Sequence, residues 1–254
     1  MEFLGKTAMV TGAAVGIGRA CAIRLAQEGA ALLLLDRDAA ALDALQQELA
    51  GYSTPILACP CDVSDAAAVQ QAVAAADWGI GHLNWATRFG GVDILINNAA
   101  VWRSSKPFLE LTQADWQQYL SVNVMGVVYC TQAVLGGMLR RGYGRIVNVA
   151  SVAGVYGNAN MVQYSASKGA VIAMTRALAK EVAAGGVLVN CVSPGSVSPS
   201  DIADIDHVQE SPLSYLGRTG SDRENAELIC FLASERASYI AGQNIQIDGC
   251  RRQL

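Results

Sequence analysis

A tyrosine and a lysine lie four residues apart in Tyr164-Ser-Ala-Ser-Lys168, a pair suited to moving a proton. On a helix this spacing places the phenol and the ammonium on one face, about one turn apart. A free tyrosine, with a pKa of roughly 10, is a poor base at neutral pH. A lysine ammonium and an oxidised nicotinamide nearby would favour the phenolate and make it a better one. Ser151 precedes Tyr164 by thirteen residues and follows the apolar run Ile146-Val-Asn-Val149. At the carboxyl end of a strand, its hydroxyl could share a substrate oxygen with the tyrosine. Asn123, in Ser121-Val-Asn-Val124, falls in a helical stretch. It is either a helix asparagine with its own partners or a polar link that anchors a water near Lys168.

A second constellation could bind a dinucleotide. Gly12, Gly16 and Gly18 sit in Thr11-Gly-Ala-Ala-Val-Gly-Ile-Gly18, after the apolar run Ala8-Met-Val10 and before a helix-compatible stretch from about Ile17 to Gln27. Glycines there let the backbone turn tightly and approach a pyrophosphate at the positive end of a helix. The next apolar run, Ala31 to Leu35, ends at Asp36, eighteen residues after Gly18. A carboxylate at that strand tip can bind the adenosine ribose hydroxyls of NAD and repel the 2′-phosphate of NADP. Val15 brings no basic side chain to the turn, whereas Arg37 could swing towards such a phosphate. NAD is the expected cofactor.

The elements that must position these residues follow from periodicity. Apolar runs recur at Ala8–Val10, Leu32–Leu35, Ile56–Ala58, Ile94–Ile96, Ile146–Val149, Val187–Val192 and Ile245–Ile247. Helical patterns lie between them. One is Asp65–Ala76 with Ser64 as its expected N-cap, and another runs from a Thr112/Asp115 capping box through Met138. Ala170, Met174, Leu178 and Val182 give the Tyr164 helix an apolar stripe, and Gly185-Gly186 ends it. Near-continuous apolar strands alternating with helices predict a doubly wound, mostly parallel seven-stranded sheet with helices on both faces. No linker or repeat divides residues 1–254, so one α/β domain is expected. Asp77–Trp85 reads as a surface insertion or a partner contact, and the polar, proline-containing segment Ser196–Ser214 as a loop bordering the substrate.

Composition narrows the function class. The chain has 254 residues, 52% hydrophobic and 16% charged, which excludes disorder. A net charge of −4 and the lack of a basic block argue against nucleic acid, Cys250-Arg251-Arg252 being too short for a basic arm. No apolar run approaches the ~20 residues of a membrane span, and the N-terminus has no signal-peptide pattern. A soluble cytoplasmic protein with reduced thiols is expected from seven scattered cysteines. Cys59, Cys61 and Asp62 could suggest a metal site, but His82 and His207 lack zinc-motif spacing to them, so none is expected. Ser151 lacks a Gly-x-Ser-x-Gly frame, which weighs against a hydrolase. A non-catalytic dinucleotide sensor would not need an acid/base set.

Taken jointly, Thr11-Gly-x-x-x-Gly-x-Gly18, Cys61-Asp-Val63, Asn97-Asn-Ala99, Asn123, Ser151, Tyr164-x-x-x-Lys168, Pro194-Gly195 and Asp248-Gly249 resemble the short-chain dehydrogenase/reductase family over essentially the whole chain. The resemblance implies a single-domain Rossmann fold and an alcohol dehydrogenase or carbonyl reductase acting on a small secondary alcohol or ketone. It makes Tyr164 the acid/base, Ser151 the carbonyl-polarising group, Lys168 the ribose-binding group and Asn123 the holder of a proton-relay water. Gly12, Val15, Gly16, Ile17 and Gly18 would form the phosphate turn, and Asp36 would bind the ribose. Asp62 and Val63 would contact adenine, Asn98 its ribose region and Val197 the nicotinamide end. It also implies a homo-oligomer, tetramer or dimer. The chain departs from the family pattern at Ala100 and Cys250, both glycine in the common motif, and at Pro199, beside Ser198, where a threonine is frequent. Residues 195–216 are also shorter than usual. Val101-Trp-Arg103 and Lys106-Pro-Phe108 resemble cis-dihydrodiol carboxylate dehydrogenases, with Arg103 as a carboxylate binder. A 3-oxoacyl thioester, a polyol or a steroid-like alcohol are further substrates to weigh.

Overall fold

The computed structural model describes residues 1–78, 91–103, 105–198 and 202–252. Seven strands form one sheet in the order β3-β2-β1-β4-β5-β6-β7, with every neighbouring pair parallel. They are β1 Thr7–Thr11, β2 Ala31–Asp36, β3 Ile56–Pro60, β4 Ile94–Asn97, β5 Gly144–Val149, β6 Val187–Pro194 and β7 Asn244–Ile247. The central strands β1, β4 and β5 are buried along their whole length, as their unbroken apolar runs require. The order reverses between β1 and β4. Their carboxyl ends, Thr11 and Asn97, therefore flank the crevice where doubly wound sheets bind ligands.

Helices cover both faces. One core packs α1 (Gly16–Gln27), α2 (Ala39–Leu49) and α8 (Asp222–Ala233) against the sheet through residues such as Leu25, Leu42 and Ile229. The opposite core packs α3 (Ala66–Trp78) and α5 (Gly126–Arg141) through Val69, Cys130, Val134 and Met138. The Thr112/Asp115 capping box forms as expected and opens α4, Gln113–Leu120. The helical path runs on through Met138 to Arg141, with a π turn over Ser121–Met125 between α4 and α5. Residues 113–141 have the length and apolarity of a membrane span, contrary to the sequence expectation. One face of it, with Val127, Cys130, Val134 and Met138, is buried in the protein.

Two further local expectations change. α3 is capped by Asp65, whose carboxylate accepts from the amides of Ala67 and Ala68, while Ser64 turns its hydroxyl to Asp62. Ser64 and Asp65 are comparable cap residues, and Asp62 engages the serine, which leaves the cap to Asp65. In α7, Val162–Val182, the fully buried residues include Lys168, Val171, Ile172, Thr175, Ala179 and Val182. The stripe through Ala170, Met174 and Leu178 is only half-buried. Polar residues share the inner face, so an apolar pattern alone points about one position away. Gly186 does end the segment, in the left-handed conformation. The expected insertion Asp77–Trp85 lies outside the described residues beyond Trp78, as does Pro199.

Candidate active site

The glycine turn is built for close backbone approach. Gly12 and Gly16 have φ of +59° and +58°. A Cβ on Gly12 would lie 2.8 Å from Ala99 Cα, and one on Gly18 would lie 2.0 Å from Gly12 O. Only glycine fits either place. Thr11 and Asn98 fasten this turn to the end of β4. The Thr11 hydroxyl accepts from the amides of Asn98 and Ala99, and Asn98 Nδ2 donates to the carbonyls of Thr11 and Gly12. The α1 N-cap is Val15, which offers no capping side chain, and the first turn carries no acid. Its amides therefore face the cavity ready for an anion, a fit for a pyrophosphate.

Asp36 ends β2 half-buried. One carboxylate oxygen accepts from Ala14 N at 3.0 Å and the other from Asp38 N at 3.1 Å. It thus shapes the glycine turn as well as placing a negative charge beside it. Asp62, exposed beyond β3, is held below the usual carboxylate range by the Ser64 hydroxyl and amide. Val63 is buried against Gly126, where a Cβ would come within 2.8 Å of it.

Tyr164 lies one turn before Lys168 on α7. Its phenol shares a hydrogen bond with Ser151, which opposes the rise in pKa that burial imposes. Burial is the larger effect, so the phenol sits above its ordinary value. The ring also packs edge-on against Tyr119, centroids 6.2 Å apart. Lys168 is buried and donates to Val149 O at 2.7 Å. Its Nζ is 5.9 Å from the Tyr164 ring centroid, and burial pulls its pKa down to about 8. The depression expected from Lys168 and an oxidised nicotinamide together is not seen here, where burial dominates and Lys168 is not among the causes.

Asn123 sits in the π turn, fully buried. Its amide is taken up by protein: Oδ1 accepts from Val101 N at 2.8 Å, and Nδ2 donates to Val101 O and Ser167 Oγ, each at 3.0 Å. Ser167 in turn donates to Tyr164 O. The side chain is a clamp between the loop after β4 and the tyrosine helix. Behind it, Asn97, Asn148, Thr131 and Thr175 form a buried polar ladder tying β4, β5, α5 and α7 together.

One cavity of about 930 Å³ joins these parts. Gly12, Val15, Gly16, Ile17, Asp36, Asp62, Val63 and Asn98 line it along with Ser151, Tyr164, Lys168 and Val197. Gly18 and Asn123 stand behind the wall and shape it. Trp102 and Arg103 are on the wall too, the guanidinium 5.3 Å over the indole. Ser198 lines the cavity, but its hydroxyl is engaged with His207 O and Thr219. Sequence reasoning gave no role to four residues here: Tyr119 against the Tyr164 ring, Thr11 fastening the turn, and Asn158 and Arg251 on the wall. In the sequence, Arg251 stands out only as part of a short basic end. Only Thr11 had a signal available, its place at the tip of β1.

The short chain dehydrogenase family profile matches residues 6–209. A 3-oxoacyl-acyl-carrier-protein reductase of Thermotoga maritima is 37% identical over 252 residues, covering 98% of each chain. A 2-dehydro-3-deoxy-L-rhamnonate dehydrogenase (NAD(+)) of a Sphingomonas species is 39% identical over 256 residues, covering 98% of this chain and 96% of its own. The hydroxy(phenyl)methylsuccinyl-CoA dehydrogenase subunit BbsD of Thauera aromatica is 34% identical over 257 residues, covering 99% and 98%.

Proposed function

This chain belongs to the short-chain dehydrogenase/reductase family of oxidoreductases, and we propose that it interconverts a secondary alcohol and a ketone with NAD(H). The observation that carries this reading is that Ser151, Tyr164 and Lys168 line one cavity with the glycine turn and Asp36. Bound nicotinamide supplies the hydride acceptor or donor at its C4. In alcohol oxidation Tyr164 Oη takes the hydroxyl proton, and in ketone reduction it returns it. Ser151 Oγ shares the substrate oxygen and orients it towards the phenol. Lys168, as ammonium, favours the phenolate and holds the nicotinamide ribose. Asn123 has its amide engaged, which leaves its main chain to hold a relay water, and a π turn suits such a role. The turn Gly12–Gly18 with Val15 and Ile17 receives the pyrophosphate. Asp36 binds the adenosine ribose, Asp62, Val63 and Asn98 border the adenosine, and Val197 borders the nicotinamide.

Asp36 makes NAD the preferred cofactor over NADP. The NAD(+) specified in the name of the Sphingomonas relative supports this. Residues 1–254 act as one domain, in a cytoplasmic homo-oligomer. Exposed Leu120, Met125, Leu139 and Val162 on α4, the π turn, α5 and α7 supply apolar contact for that assembly. A second reading, a 3-oxoacyl thioester reductase, is favoured by the Thermotoga relative. The test is NADH formation or consumption, followed by absorbance, across secondary alcohols, ketones and 3-oxoacyl thioesters with NAD(H) and NADP(H). Cofactor binding with no turnover on any class would make the chain a dinucleotide sensor and overturn the proposal.

A further inference from the structure

The C-terminal tail forms part of the cavity wall, and the main chain fixes how it does so. Residues 249–252 pair with Leu213–Leu216, the end of the loop that follows β6. Ser214 and Arg251 form an antiparallel bridge. Tyr215 N donates to Cys250 O at 2.9 Å, Leu216 N to Gly249 O at 3.2 Å, and Arg252 N to Leu213 O at 3.0 Å. The tail enters this pairing through two consecutive left-handed residues, Gly249 at φ +62° and Cys250 at φ +58°. For cysteine that conformation is uncommon and persists only where the surroundings impose it. The bend brings Arg251 to the cavity, where its Nη2 donates to Asn158 Oδ1 at 3.3 Å.

The charge around Arg251 is one-sided. Asp36, Asp38 and Asp62 line the cavity at the ends of β2 and β3, and Asp222 lines it beside α1. Among the described residues, the wall near α7 and the tail has no carboxylate, and Arg251 has no ion-pair partner. Its guanidinium donates to a neutral amide, that of Asn158. A half-buried guanidinium with spare donors, lining the same cavity as Tyr164, matches the two oxygens of a carboxylate.

We propose that Arg251 determines substrate specificity by binding the carboxylate of a hydroxy- or oxo-acid while Tyr164 acts on its alcohol or ketone. The inference rests on the proposed function for the second half of that statement. Asn158 holds the guanidinium in place, and the Ser214–Arg251 bridge couples substrate binding to the loop after β6.

The test separates binding from chemistry by using complexes that cannot react. Acetoacetate, 4-oxopentanoate and 4-acetylbenzoate, each beside its methyl ester, are titrated calorimetrically into the NAD complex of the full chain. Oxidised cofactor with an oxidised ligand permits no turnover. At least one acid is expected to bind about tenfold or more tightly than its ester. Arg251→Gln should abolish that difference and leave ester affinity unchanged, which also shows that the cavity is intact. Arg251→Lys should restore part of it. Acids binding no tighter than esters, or Arg251→Gln weakening acid and ester alike, overturns the proposal. If acids bind through Arg251 but the matching hydroxy acids yield no NADH, the dehydrogenase reading fails and the anion site stands.

Discussion

Replacing Asp36 with asparagine separates two roles that the structure gives to one carboxylate. The side chain accepts from Ala14 N and Asp38 N, and it brings a negative charge to the tip of β2. Asp36→Ala removes both roles and strands the buried Ala14 amide, a loss of about 1–3 kcal/mol that would weaken every dinucleotide alike. Asp36→Asn keeps an acceptor for the buried Ala14 amide and removes the charge; it gives up only the acceptor for the exposed Asp38 amide, which water can replace. Two unit charges about 4 Å apart repel by about 1 kcal/mol in bulk water and about 4 kcal/mol at a protein surface. Asp36 is half-buried beside an open cavity, so the lower part of that range applies. A penalty of about 1.4 kcal/mol or more against a 2′-phosphate corresponds to at least about tenfold. Wild-type kcat/KM should therefore favour NAD over NADP by at least that factor. In Asp36→Asn the ratio should fall by about tenfold or more, through a lower KM for NADP with kcat little changed. The assay is steady-state kinetics with both cofactors at one ionic strength, because salt screens the effect. A wild-type preference for NADP, or an unchanged ratio in the variant, would refute the reasoning.

Three further outcomes are expected. Gly18→Ala places a Cβ 2.0 Å from Gly12 O, so the turn must open; NADH affinity, read by fluorescence titration, should fall at least about tenfold. Unchanged affinity would mean that the turn does not cradle the cofactor. Lys168 is held at about 8 against an ordinary 10.5, so its proton destabilises the fold. Wild-type stability should gain roughly 3 kcal/mol from this group as pH rises from below 8 past 10.5. Lys168→Met should lack that gain in denaturant titrations at successive pH values, and should also lose activity and NAD affinity. A wild-type-minus-variant difference independent of pH would contradict the buried lysine. Asp222, raised to about 6 by burial, works in the opposite direction. Its ionisation should cost about 3 kcal/mol of stability as pH rises from below 4 past 6. Asp222→Asn should thus melt higher than wild type at pH 7.5 and level with it near pH 3.5, and equal melting at pH 7.5 would count against this.

What the sequence made legible was local. Glycines at fixed offsets, an acid at a strand tip and a tyrosine one helical turn from a lysine declare themselves by spacing, because the chain between them has one regular conformation. The capping box at Thr112 and Asp115 belongs to the same class. The π turn at Ser121–Met125 was not legible. One extra residue in a helix leaves no mark on composition, and the burial pattern simply shifts phase. The cap on α3 was misassigned because Ser64 and Asp65 are both good cap residues, and the outcome depends on Asp62 engaging the serine. Tyr119 and Arg251 reach the site from 45 residues before Tyr164 and 87 residues after it, through tertiary packing alone. Cys250 read as a lost glycine, yet its backbone keeps the left-handed conformation that a glycine there would favour.

The central claim is that Tyr164 moves the substrate proton. Tyr164→Phe keeps the ring that packs on Tyr119 and removes the phenol oxygen to which the proposal assigns the proton. General acid–base assistance contributes about 10²–10⁴-fold. The most direct measurement is single-turnover hydride transfer at saturating NAD and alcohol, with NADH affinity determined on the same preparation. The account predicts a rate at least about 100-fold below wild type with NADH affinity within about twofold. A variant that transfers hydride at close to the wild-type rate would contradict it.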